Sequence, residues 1–75
     1  MTYREMFDEV VMSGKYHTQM EKVKKLARLI YRTGFDGAET KTDAVWAALE
    51  QCEDMTGRPF DPTQDQFDEI EASII

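Results

Sequence analysis

Apolar residues recur along this chain at spacings of three and four, and no stretch shows the period-two alternation that predicts a half-buried strand. The first predicted helix covers about residues 3–12. Its apolar positions follow the i, i+3, i+4, i+7, i+8 pattern of one buried face: Tyr3, Met6, Phe7, Val10 and Val11. Thr2 and Glu5 have the spacing of an N-terminal capping box, and Gly14 suits the left-handed conformation that ends a helix.

The second predicted helix is the longest; it extends to about Arg32, and Thr33 and Gly34 end it. It begins either at Tyr16 or after an N-cap at Thr18 that is paired with Glu21. Six apolar side chains fall within an arc of about 120° on the helical wheel: Tyr16, Met20, Val23, Leu26, Ala27 and Ile30. Leu29 lies off this arc, either as an isolated exposed residue or as part of a second contact.

The third predicted helix covers about residues 41–55, with Thr40 or Thr42 as its N-cap. Its apolar stripe consists of Val45, Ala48, Leu49 and Cys52. Trp46 lies at one flank of this stripe, and we expect it to cover the core of the domain itself. The alternative is that Trp46 anchors a partner protein, because aromatic residues dominate the hot spots of interfaces. Gly57 and Pro59 end the helix.

The fourth predicted helix opens with Asp61 as its N-cap and Pro62 at the first helical position, where the missing N–H costs nothing. Its apolar stripe is narrow and consists of Phe67, Ile70 and Ile74. We expect Phe60, just before the cap, to pack back against the third helix. The apolar pair Ile74 and Ile75 favours docking of this segment on the core or a contact with another chain.

Together these patterns predict an all-α fold, a small irregular antiparallel bundle of four short helices in a single domain over residues 1–75, with the second and third helices at its centre. The expected core is Met6, Phe7, Val10, Met20, Val23, Ala27, Ile30, Val45, Leu49, Cys52, Phe67 and Ile70. A chain of this length buries only a thin core, which favours a binding protein over an enzyme and supports the hypothesis of a homodimer.

The charges are distributed unevenly along the chain, whose formal net charge is −6. Residues 15–32 carry six basic side chains and one acid, whereas the rest carries three basic and fourteen acidic side chains. A basic face of about 100° lies opposite the apolar arc of the second helix: Lys24, Lys25, Arg28 and Arg32. This face either attracts the acids of neighbouring helices or contacts phosphates or an acidic partner. The acidic remainder and the lack of interleaved aromatic residues disfavour nucleic acid.

The acidic counterpart lies on the fourth helix, where carboxylates follow i, i+4, i+7, i+8 in a single stripe: Asp61, Asp65, Asp68 and Glu69. No Lys or Arg follows Arg58, so the sequence predicts no local neutralisation of this helix. The stripe is either a solvated face or a row of carboxylates that meets a basic surface on another protein. A calcium site is disfavoured, because no Asp-x-Asp-x-Asp-Gly loop occurs.

Candidate catalytic chemistry is confined to two side chains. His17 is the only histidine, and no nucleophile accompanies it at a supporting spacing. Cys52 lies on an apolar stripe with acidic neighbours, which favours a small buried hydrophobe over a reactive thiolate. One Cys excludes an intrachain disulfide, and one Cys with one His excludes an ordinary zinc site. The sequence therefore predicts no catalytic, metal or cofactor site.

The sequence thus predicts a small acidic, non-enzymatic interaction module, a regulator or inhibitor that docks on a basic surface of a larger protein. The alternative is a nucleic-acid-binding protein that uses the basic face of the second helix as a dimer. No apolar run is long enough to span a membrane and no signal-peptide pattern is present, so a cytoplasmic location is expected. An origin in a phage or another mobile element would fit so short a chain.

Overall fold

Four α-helices and one short 3-10 helix make up the secondary structure of the computed structural model, which describes residues 2–75. The helices are α1, α2, α3 and α4, over Tyr3–Val11, Gln19–Thr33, Lys41–Thr56 and Gln64–Ala72. The 3-10 helix, Phe35–Gly37, lies between α2 and α3. Residues 2–75 contain no strand, so the predicted all-α fold, a small bundle of four short helices, is confirmed. Within the same residues, no helix is both long and apolar enough to cross a membrane.

A threonine hydroxyl caps the N-terminus of each of the four α-helices, by accepting a hydrogen bond from the backbone N–H three residues later. The four N-cap residues are Thr2, Thr18, Thr40 and Thr63. The position of Thr18 shows that α2 begins after it and not at Tyr16. At α3 the carboxylate of Asp43 also accepts from the backbone N–H of Thr40, which completes a capping box and selects Thr40 over Thr42.

The start of α4 differs from the prediction that placed the N-cap at Asp61. The Thr63 hydroxyl accepts from the Gln66 backbone N–H at 3.2 Å, and Gln66 Oε1 accepts from the Thr63 backbone N–H at 2.9 Å. This reciprocal pair satisfies two free amides, whereas an aspartate cap alone satisfies one, so the helix begins two residues later. Asp61 and Pro62 consequently lie in the connection before α4.

Fifteen apolar side chains form one buried cluster to which all four helices contribute. Nine of the twelve predicted core residues belong to it: Phe7, Val10, Val23, Ala27, Ile30, Val45, Leu49, Cys52 and Ile70. The cluster also contains Val11, Leu26, Ala38, Ala44, Ala48 and Ile74. The other three predicted members are only partly buried, because Met6, Met20 and Phe67 pack against the cluster from its edge.

Helices α2 and α3 lie at the centre of the bundle, as predicted. They pack most extensively against each other, and each also contacts α1 and α4. The packing of α4 on α2 brings the acidic helix beside the basic one, which decides the electrostatics described below.

Candidate functional site

Three of the four predicted acidic residues lie on α4, and all three are exposed: Asp65, Asp68 and Glu69. Asp65 is in the first turn of the helix, where its charge interacts favourably with the helix dipole. The Asp68 carboxylate accepts a hydrogen bond of 2.9 Å from the side-chain amide of Gln64. Asp61 is exposed as well, but it lies before the helix, so the predicted stripe of four is a helical row of three.

The acidic and the basic residue sets meet directly. Lys24 Nζ lies 3.0 Å from Glu69 Oε2 in a salt bridge between α2 and α4. α4 carries no Lys or Arg of its own, so it has no local neutralisation. Glu69 is neutralised instead by a cation of a helix far away in the sequence. Lys24 therefore agrees with the first interpretation of the basic face, in which its cations attract the acids of neighbouring helices.

The remaining basic residues do not form one continuous exposed face. Lys25 and Arg28 are half-buried and line a shallow depression together with Lys24, whereas Arg32 is exposed in the last turn of α2. The Arg28 Nε atom is buried and has no hydrogen-bond partner within residues 2–75. Among the four predicted cations, only Lys24 forms an ion pair in this part of the chain.

Trp46 was expected to cover the core, but 60% of its surface is exposed. Its ring packs on Phe67 of α4, with the ring centroids 5.1 Å apart and the planes tilted by 52°. On α3 the residue lies three positions after Asp43 and four before Glu50, and both acids are exposed. These spacings place the indole on the polar face of α3 and not on its apolar stripe.

Trp46 lines two surface depressions, and carboxylates line both. Asp61 lines one of them, together with Phe67. Asp36, Asp43 and Glu50 line the other. Neither lining contains Lys or Arg, and none of these four carboxylates forms an ion pair within residues 2–75. We call Trp46, Phe67 and the four carboxylates the Trp46 surface. The signal in the sequence that could have indicated this surface is a tryptophan on an acidic face of a helix.

The two candidate catalytic side chains lie apart from these surfaces. Cys52 is fully buried in α3, and its thiol donates a hydrogen bond of 3.0 Å to Gln19 Oε1. Burial raises the pKa of the Cys52 thiol above its ordinary value of 9.0, and the nearby charge of Lys22 lowers it by less. The thiol is therefore protonated at neutral pH and a poor nucleophile. His17 is exposed, and its backbone N–H donates to a Glu21 carboxylate oxygen.

Comparison of the chain with models of known protein families, with curated protein sequences and with solved structures gives no match. Within residues 2–75, no group of three or more His, Cys, Asp or Glu side chains is arranged to hold a metal ion.

Proposed function

We propose that this protein is a small, non-enzymatic interaction module, a regulator or inhibitor that docks on a basic surface of a larger protein. The observation that carries the proposal is the exposed acidic row on α4. Asp65 and Asp68 are exposed, and neither forms an ion pair within residues 2–75. Glu69 contributes less to docking, because Lys24 already neutralises it.

Electrostatic docking also agrees with the charge of the whole chain. The formal net charge of −6 attracts a basic protein surface at long range and repels phosphate backbones. Attraction of this kind raises the association rate and the specificity more than the final affinity, and salt screens it. We therefore expect complex formation to weaken as the salt concentration rises.

The experiment is capture of partners from a lysate of the source cells by tagged wild-type protein and two charge-reversal variants. In the test variant Asp65→Lys and Asp68→Lys reverse the acidic row. In the matched control Glu53→Lys and Asp54→Lys make the same charge change at two exposed residues near the end of α3. We expect the wild-type protein to capture a stoichiometric partner protein that remains bound after nuclease treatment and is released by high salt. The control variant should still capture this partner, and the test variant should not.

Two results would overturn this proposal. If the test variant captures the same protein as the wild type, the acidic row of α4 is not the docking surface. If the captured material disappears after nuclease treatment, the protein acts on nucleic acid or through it.

The second candidate function is nucleic-acid binding by Lys24, Lys25, Arg28 and Arg32, in a dimer that doubles the basic surface. The observation in its favour is that three of these cations line one depression. Neutralising Arg28 and Arg32 should then lower the affinity for DNA or RNA and flatten its dependence on salt. An unchanged dependence of the affinity on salt would exclude this function. The homodimer and the cytoplasmic location both stay predictions.

A further inference from the structure

We propose that the Trp46 surface binds an arginine side chain on the basic surface of the partner protein. This inference rests on the proposed function, because it specifies the chemistry of the partner and adds an anchor point to the acidic row of α4. It concerns a different set of residues, so the two proposals can fail separately.

Trp46 exposes a large aromatic side chain. It is the only tryptophan in the chain, and with 60% of its surface exposed it leaves a large apolar area in water. Its ring packs on Phe67, with 5.1 Å between the ring centroids. A ring that already packs on a neighbour loses less side-chain entropy when a partner binds it, and tryptophan is among the residues most enriched in interface hot spots.

The charges around Trp46 are complementary to a cation. Trp46 lines two depressions; Asp61 lines one of them, and Asp36, Asp43 and Glu50 line the other. No Lys or Arg lines either depression. The four carboxylates of these two depressions favour a cationic occupant and repel phosphates, which argues against a nucleic-acid backbone or an anionic lipid surface as the occupant.

The combination of an aromatic ring with carboxylates distinguishes arginine from lysine. The planar guanidinium stacks on the face of an indole ring and keeps its N–H groups free to donate to carboxylates at the edge of the ring. A lysine ammonium group is compact and strongly hydrated, so it makes the cation–π contact without the bidentate hydrogen bonds. An exposed aromatic ring that shares its two depressions with carboxylates therefore fits arginine better than lysine.

The experiment uses the fluorescence of Trp46, which reports on this surface alone because the chain has no other tryptophan. The full-length protein is titrated at low salt with an acetylated Gly-Arg-Gly-Arg-Gly amide. Two matched peptides carry lysine or uncharged citrulline in place of arginine. We expect a saturable change of emission with the arginine peptide, binding weaker by roughly threefold or more with the lysine peptide, and no saturable change with citrulline.

Substitutions then locate the bound peptide, with fluorescence anisotropy of a dye-labelled arginine peptide as the signal and circular dichroism as the check of folding. We expect Trp46→Leu to weaken binding about tenfold and Trp46→Phe to weaken it less, because phenylalanine keeps a weaker aromatic face. We expect the double variant Asp36→Asn, Glu50→Gln to weaken binding as well. The matched control, Glu53→Gln with Asp54→Asn, removes the same charge outside both depressions and should bind as the wild type does.

Four outcomes would overturn the inference. The first is the absence of a saturable emission change with the arginine peptide, and the second is equal binding of the citrulline peptide. The third is weakening by Asp65→Asn, Asp68→Asn without any effect of the Trp46 variants, which would leave the proposed function standing. The fourth is a Trp46 emission that changes with protein concentration before peptide is added, because a second copy of the chain would then cover the surface.

Discussion

The docking of α4 depends most on Ile70, and Phe67 and Ile74 pack on the same core on either side of it in the sequence. Ile70 is 0% exposed, and it is the only residue within Gln64–Ala72 that is buried. A nine-residue helix is not stable alone in water, so apolar contacts with the rest of the core must hold it in place. The acidic row and the contact between Trp46 and Phe67 both depend on that docking. We therefore expect Ile70→Ala to destabilise the fold and both proposed surfaces together.

The magnitude follows from the burial of the side chain. Replacing a fully buried Ile by Ala costs about 2–5 kcal/mol, through lost transfer free energy and the cavity that remains. A chain of this length has a total free energy of unfolding of roughly 4–11 kcal/mol. We therefore expect a loss of about 3 kcal/mol, which is a large share of the total. The matched control is Ile75→Ala, where the same atoms are removed from a side chain that is fully exposed.

Urea unfolding, followed by circular dichroism and by Trp46 fluorescence, measures this loss. With a denaturant slope of roughly 1 kcal/mol per molar urea, as expected for a small domain, a loss of about 3 kcal/mol lowers the urea midpoint of unfolding by about 3 M. The Ile75→Ala midpoint should match the wild type. A difference of less than about 1 kcal/mol between the two variants would refute the reasoning, since α4 would then not depend on Ile70.

Two further predictions concern the cap of α4 and the buried thiol. Thr63→Ala should cost about 1 kcal/mol in thermal or urea unfolding, because it removes the hydroxyl that caps Gln66, whereas Asp61→Ala should have little effect; the opposite order would restore Asp61 as the N-cap. Because the pKa of Cys52 is raised in the folded state, its contribution to stability is complete below pH 9.0 and is lost as the pH rises through the higher folded value. The free energy of unfolding should therefore fall above pH 9.0 more steeply in the wild type than in Cys52→Ala, and parallel curves for the two proteins would contradict this.

The prediction of helices was most accurate where the signals are local. The N-cap at Thr2 and the end of α2 at Gly34 depend on residues within one turn of each other, and the structure bears them out. At α3 the same kind of signal left Thr40 and Thr42 as alternatives, and the structure selects Thr40. The start of α4 was wrong because two local signals competed there, the Asp61-Pro62 pair and the capping box that begins at Thr63. Both are ordinary starts of a helix, and the box prevails because it satisfies two amides.

The candidate surfaces were less accessible to prediction, because they depend on which helices are neighbours. Three acidic residues on α4 follow directly from their spacing, and their exposure follows from the apolar stripe on the other side of the helix. The neutralisation of Glu69 by Lys24 does not follow from the spacing, because no local signal in the sequence indicates that α4 packs on α2. The exposure of Trp46 was missed for a related reason: its spacing from the apolar stripe was compatible with an edge position on the core.

The sequence by itself therefore determined the all-α class, the four helices and most of the core, since hydrophobic periodicity and capping act over three to eight residues. Only the tertiary structure decided which charged residues are already paired and which aromatic side chains are exposed. The salt bridge between Lys24 and Glu69 and the ring contact between Trp46 and Phe67 join residues far apart in the chain. Such contacts form where one helix packs on another, and many sequences with the same periodicity would pack their helices differently.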